Sequence, residues 1–128
     1  IHVFVTHLGL TADQREQQLR QIAETTARYA GPKILLGDFN ADPDEPAIAL
    51  LRPVFQDALT LANVSPENRK SYPGGLQPNA AIDYIFVSPE FRVLEARVLR
   101  DASLASDHNP VIAELELRPT APSSQPRR

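Results

Sequence analysis

KILLGDFN, Lys33 to Asn40, is the stretch on which the fold turns. Ile34, Leu35 and Leu36 form a continuous apolar run that stops abruptly at Gly37-Asp38-x-Asn40. An apolar run that ends abruptly in polar residues reads as a central strand of an α/β sheet that delivers side chains to a surface. Asp38 and Asn40, two apart on extended backbone, point to the same side. The same residues also fit an Asx turn in which Gly37 supplies an unusual backbone angle. Both readings stay open on this stretch alone.

Working outward, residues 1–8 (IHVFVTHL) set Ile1, Val3 and Val5 against His2, Phe4 and Thr6, which predicts a largely buried strand. Leu19, Ile22, Ala23, Thr26 and Ala30 then recur at helical spacing, with Thr11 and Gln14 as a capping box and Gly31-Pro32 as the stop. DEPAIALLRPVF (44–55) predicts a short helix with Pro46 in its first turn. Residues 57–80 hold many Asn, Pro, Gly and Ser residues and predict a long irregular loop, a place where function often resides. AIDYIFVS (81–88) and FRVLEARVLR (91–100) read as strands, the latter with Leu94, Ala96 and Val98 inward. VIAELELR (111–118) closes the set by strict alternation. The order is β-α-β-α-loop-β-β-β, an α/β chain with a mixed β-sheet and helices on one face.

Composition bounds what this chain does. At 128 residues it is one domain or a piece of one, and its net charge of −3 supplies no global attraction to nucleic acid. With no cysteine, a metal must sit on carboxylate, amide or imidazole groups. No apolar run reaches the ~20 residues of a membrane span, and no secretory signal is present, so a cytoplasmic location is favoured. The chain has no methionine and opens directly inside an apolar β-branched run, so it is expected to be a segment of a longer protein. The Pro/Ser-rich end, 119–128, is expected to be disordered.

Four strand ends carry the polar residues: Thr6-His7, Asp38-x-Asn40, Asp83 inside AIDYIFV, and Asp107-His108 in SDHNPV (106–111). Ligand sites of open α/β sheets collect at strand ends, so these groups can converge despite their separation in sequence. Each also has a bland reading as a strand end or a loop. Asp83 is the most telling, because a carboxylate between Ile82 and Tyr84 must face solvent or find a buried partner, and His108 is a candidate. An aspartate accepting from a histidine ring nitrogen fixes the tautomer and favours the charged ring. Carboxylates, an amide and histidines together suit phosphoester hydrolysis, where the chemistry needs positive charge on the phosphoryl oxygens and an activated water.

THL (6–8), GDFNA (37–41), IDYIFVS (82–88) and SDHNPV (106–111), in this order and at these separations, resemble the endonuclease/exonuclease/phosphatase superfamily. The resemblance covers residues 1–118 and implies the carboxy-terminal half of a four-layer α-β-β-α sandwich. It implies Mg²⁺- or Mn²⁺-dependent cleavage of a phosphoester in a nucleic acid, a phospholipid or a small phosphate ester. By motif position His7 looks like the histidine that donates to the scissile phosphate, and Asn40 like the asparagine that positions it. Asp38 resembles the aspartate that orients water or assists the leaving group. Asp83 is similar to the acid that orients the catalytic histidine, here His108, and Asp107 looks like a metal ligand. Arg69, Lys70 and Tyr72 of the 57–80 loop are the expected substrate contacts.

The family's first half, with its metal-binding glutamate, has no counterpart in this sequence. The metal site is therefore expected to be incomplete. A half sandwich also leaves an apolar sheet face open, and pairing of two copies through that face is the expected cover. The alternative from a different class is a catalytically inactive binding or assembly module of the same fold.

Overall fold

The computed structural model describes residues 1–100 and 105–119 of the chain. Among the described residues, six strands form two sheets, accompanied by two α-helices. Strands β1 (His2–His7), β2 (Lys33–Asp38), β3 (Gln56–Asp57) and β4 (Asp83–Val87) form one sheet in the order β1-β2-β4-β3. β1 and β2 run parallel, joined by helix α1 (Ala12–Ala27), while β4 is antiparallel to both β2 and β3. Strands β5 (Phe91–Val98) and β6 (Val111–Leu117) pair antiparallel as a separate two-stranded sheet. The mixed α/β sheet expected from the sequence is present.

Helix α1 begins where its side chains allow. Thr11 Oγ1 accepts from the Gln14 amide while Gln14 Oε1 accepts from the Thr11 amide, so two backbone donors are satisfied reciprocally. The helix ends at Ala27, before Gly31, whose φ of 88° turns the chain into β2. Leu19 and Thr26 are buried and Ile22 and Ala23 half-buried, as the spacing predicts, but Ala30 lies beyond the helix and is exposed. The segment expected as a second helix is a 3₁₀ helix, Pro46–Leu51, with Pro46 in its first turn. Arg15 of α1 clamps it through Glu45, which receives Nε at 2.9 Å and Nη2 at 2.5 Å.

One face of the four-stranded sheet carries the main core. Leu35, Phe39, Tyr84 and Phe86 pack there against Leu8 and Leu19, and against Ile48, Leu51 and Phe55 around the 3₁₀ helix. Among the described residues, the other face is covered only at its β4 end. There Ile85 meets Ala96, Val98, Val111 and Ala113 of the β5–β6 sheet, with Ala58 and Leu59 of the short helix α2 (Ala58–Leu61). This is the beginning of a second sheet laid over the first.

Three expectations need correction. β1 is not largely buried: Val3 is 57% exposed and Val5 74%, because among the described residues nothing covers that end of the sheet. The two helical segments expected from the sequence do share one face of the sheet, and the four-residue α2, which no periodicity announces, packs with the β5–β6 side. In β5 a bulge between Val93 and Glu95 shifts the alternation, so Val93, Ala96 and Val98 point inward and Leu94 outward. The 57–80 loop is also less irregular than its composition suggests. Asp57 caps α2 by accepting from the Leu59 amide, and Tyr72 pairs with Ala80 in an isolated bridge. The expected disordered tail lies, from residue 120 onward, outside the described residues. No described helix is long and apolar enough to cross a membrane.

Candidate active site

The strand registers place the site. His7 pairs with Asp38 across β1 and β2, and Asp38 with Asp83 across β2 and β4. Because pleated strands send paired residues to the same face, these three form one polar row. The two rows behind it, Val5-Leu36-Ile85 and Val3-Ile34-Val87, are apolar. The abrupt polar end of KILLGDFN is therefore one third of a transverse row.

His108 reaches that row from the loop before β6. Its Nδ1 lies 2.7 Å from Asp83 Oδ2, and its Nε2 lies 3.6 Å from Asp38 Oδ2. His7 approaches the same Asp38 oxygen, with Nε2 at 3.4 Å, from a largely exposed position. Burial works against charge on the His108 ring. The hydrogen bond and charge of Asp83, then the charges of Asp38 and Asp107, outweigh it and hold the ring above its ordinary range.

Asp38 and Asn40 are fixed by the turn that follows β2. Asp38 Oδ1 accepts from the Asn40 amide at 2.9 Å, an Asx turn, and Asn40 takes a left-handed φ of 47°. The turn and the functional reading of GDFN are thus compatible. Asn40 Nδ2 donates to the Leu8 carbonyl at 2.7 Å, so the ends of β1 and β2 are tied beside the row. Gly37 has φ 145°, and a Cβ there would lie 1.8 Å from the Thr6 carbonyl oxygen. The close approach of β1 to β2 behind the site requires glycine.

The remaining sequence-selected residues are spread more widely. Asp107 is exposed next to His108, outside the group of Asp38, Asp83 and His108 whose ligand atoms lie within 4.8 Å of one another. That oxygen-rich group has the composition to hold a metal ion, although Asp83 and His108 already satisfy each other. Tyr72 is exposed, with its ring centroid 5.0 Å from that of His108. Arg69 is buried, ion-paired with Asp57, hydrogen-bonded to Thr60 and set over the Tyr84 ring. Its guanidinium is committed to holding α2 and the loop together. Lys70 pairs with Glu67 at 2.6 Å and lines, with Asp42 and Asp44, a cavity of about 710 Å³.

Two residues that sequence reasoning passed over sit in the same assembly. Ser71 Oγ donates to Asp83 Oδ2 at 2.6 Å. Asn109 brackets Gly75, accepting from its amide and donating to its carbonyl, both at 2.8 Å. No local signal marks Ser71. It reaches Asp83 only because the loop returns to β4.

A profile of the Endonuclease/Exonuclease/phosphatase family matches residues 2–108, a span that contains the first three strand-end motifs and Asp107-His108 of the fourth. The chain belongs to this family. It is 34% identical over 122 residues to a UPF0294 protein of Yersinia enterocolitica, covering 91% of this chain and 42% of that protein. The structure superimposes on a conserved protein of unknown function from Enterococcus faecalis with a TM-score of 0.77 and 30% identity, covering 91% of this chain and 50% of that one. A family member from Bacteroides vulgatus gives a TM-score of 0.70 at 27% identity, over 91% of this chain and 48% of that one. A mannosyl-6-phosphatase of Bacteroides thetaiotaomicron, at 24% identity and a TM-score of 0.75 over 90% of this chain and 51% of that one, shares the fold. The chain thus spans about half the length of these relatives. Its four-stranded sheet with helices outside and a second sheet begun inside is half of the family's four-layer sandwich.

Proposed function

We propose that this chain carries the proton-handling and phosphate-positioning half of a divalent-metal-dependent phosphoesterase. The observation that supports it is the linked pair of contacts at His108: Nδ1 on Asp83 and Nε2 facing Asp38, with His7 on the same Asp38 oxygen. A carboxylate that accepts from Nδ1 fixes the tautomer and favours the charged ring, so Nε2 points a donor into the row where a phosphoryl oxygen would lie. His7 supplies a second donor. Asn40 spends one Nδ2 hydrogen on Leu8, which leaves the other to donate to the phosphate. Asp38, held by the Asn40 amide, orients the attacking water or assists the leaving oxygen.

A hard ion such as Mg²⁺ or Mn²⁺, when bound, neutralises developing charge on the phosphoryl oxygens. The donors here are oxygen-rich with no thiolate, which suits such an ion. Asp83 and His108 are engaged with each other, so Asp107, exposed beside them, is the carboxylate we assign to the ion. Tyr72, beside the His108 ring, is assigned to contact the substrate, with Lys70 two residues before it in the same loop. The substrate class is a phosphoester of a nucleic acid, a phospholipid or a small molecule.

Hydrolysis of an aryl phosphodiester by the 128-residue chain, with and without Mn²⁺, tests the reading. Metal-dependent turnover that disappears in His108→Ala supports it. Turnover unchanged by that substitution removes it. The bare end of the sheet supports a second proposal, at the level of assembly. Two copies pair through Val3, Val5 and their neighbours on β2, each covering the face that the other leaves open.

A further inference from the structure

We propose that Ser71 is a positioning residue whose buried hydroxyl fixes the Asp83 carboxylate in the orientation that holds the His108 ring. The proposal rests on the reading of Asp83 and His108 as the acid–imidazole pair of the site. Asp83 Oδ2 receives two groups at once: Ser71 Oγ at 2.6 Å and His108 Nδ1 at 2.7 Å. A carboxylate held by one donor can swing about its side-chain torsions, whereas two donors arriving from different segments fix which oxygen faces the histidine.

The backbone of Ser71 makes the same connection twice more. Its amide donates to the Ala80 carbonyl at 2.8 Å, and its carbonyl accepts from the Asn109 amide at 2.7 Å. One residue is therefore bonded to the approach to β4, to Asp83, and to the neighbour of His108. Asn109 closes the circuit by bracketing Gly75 within the same loop. Gly74 completes the packing, since a Cβ there would meet the Ser106 carbonyl oxygen at 2.5 Å.

Ser71 is fully buried, so no solvent water stands ready to replace its hydroxyl. Removing it takes one of two donors from a partly buried carboxylate oxygen and leaves the rest of the pair in place. A residue of merely structural value would affect the fold. A positioning residue affects the geometry of the pair.

Ser71→Ala, Ser71→Thr and Ser71→Cys, made in the 128-residue chain, separate these cases by two readouts. The first is the proton NMR signal of His108 Nδ1–H, which stands far downfield when the proton is held by a carboxylate. The second is kcat and KM for the aryl phosphodiester with Mn²⁺. In Ser71→Ala the downfield signal is lost and kcat falls by about tenfold or more with KM nearly unchanged, and Ser71→Thr restores both. An alanine variant that keeps both the signal and kcat overturns the proposal. If the alanine variant loses its dispersed amide spectrum, Ser71→Cys decides, because it keeps the volume with a weak donor: a full-strength signal overturns the proposal and a lost one upholds it. The NMR readout needs no hydrolysis. A chain without turnover therefore counts against the phosphoesterase reading of this chain, while the signal still decides the role of Ser71.

Discussion

His108 lies where three carboxylates act on one ring, and its substitution separates chemistry from folding. The ring is half-buried at a rim rather than in the core, so His108→Ala should lower turnover by about a hundredfold or more with little change in circular dichroism. Asp38→Asn should do the same, since it removes the acceptor faced by both His7 and His108 while keeping the shape. The sign of the pH dependence follows from the raised affinity of His108 for its proton. In metal-free buffer the charged His108–Asp83 pair stabilises the fold fully below the ring's ordinary value of 6.5. That contribution fades as the pH rises through the higher value of the folded chain. The difference in Tm between the parent chain and His108→Ala, measured from pH 5 to 9, should therefore shrink toward the alkaline end. A difference that grows there would contradict the arrangement.

At the scale of elements, the sequence was most legible where periodicity and capping agreed. Thr11 and Gln14 announce the start of α1, and the apolar run of KILLGDFN announces a central strand. The polar residues at strand ends were readable as candidates, because Asp83 has apolar neighbours on both sides. Three features were not legible, each for a non-local reason. The bulge at Val93/Glu95 depends on pairing with β6. The burial of Arg69 depends on Asp57, twelve residues away, which no pattern within the loop encodes. The bond from Ser71 to Asp83 depends on the path of the chain between them. Gly37 tests the join of β1 and β2. Gly37→Ala places a methyl against the Thr6 carbonyl at a φ unsuited to L-residues, and should lower the unfolding free energy by about 2 kcal/mol or more in urea titrations. An unchanged midpoint would mean the two strands are not held as closely as described.

For the molecule as a whole, the β1 end of one sheet face is bare among the described residues, with Val3 and Val5 more than half exposed. Sedimentation velocity at micromolar concentration should find a dimer, and Val5→Lys should return it to a monomer with the circular dichroism of the parent, since the residue is exposed within one copy. A parent chain that sediments as a monomer removes the pairing. The transverse row His7-Asp38-Asp83 has a further consequence for how such a chain comes to be correct. Side chains alternate faces along every strand, so a slip of one residue between β1 and β2, or between β2 and β4, sends part of the row to the opposite side of the sheet. The reactive groups then never meet. The chemistry proposed for this half-sandwich would thus act as a checksum on strand alignment: a copy that has zipped up one step out of place is still a sheet, but its row is broken.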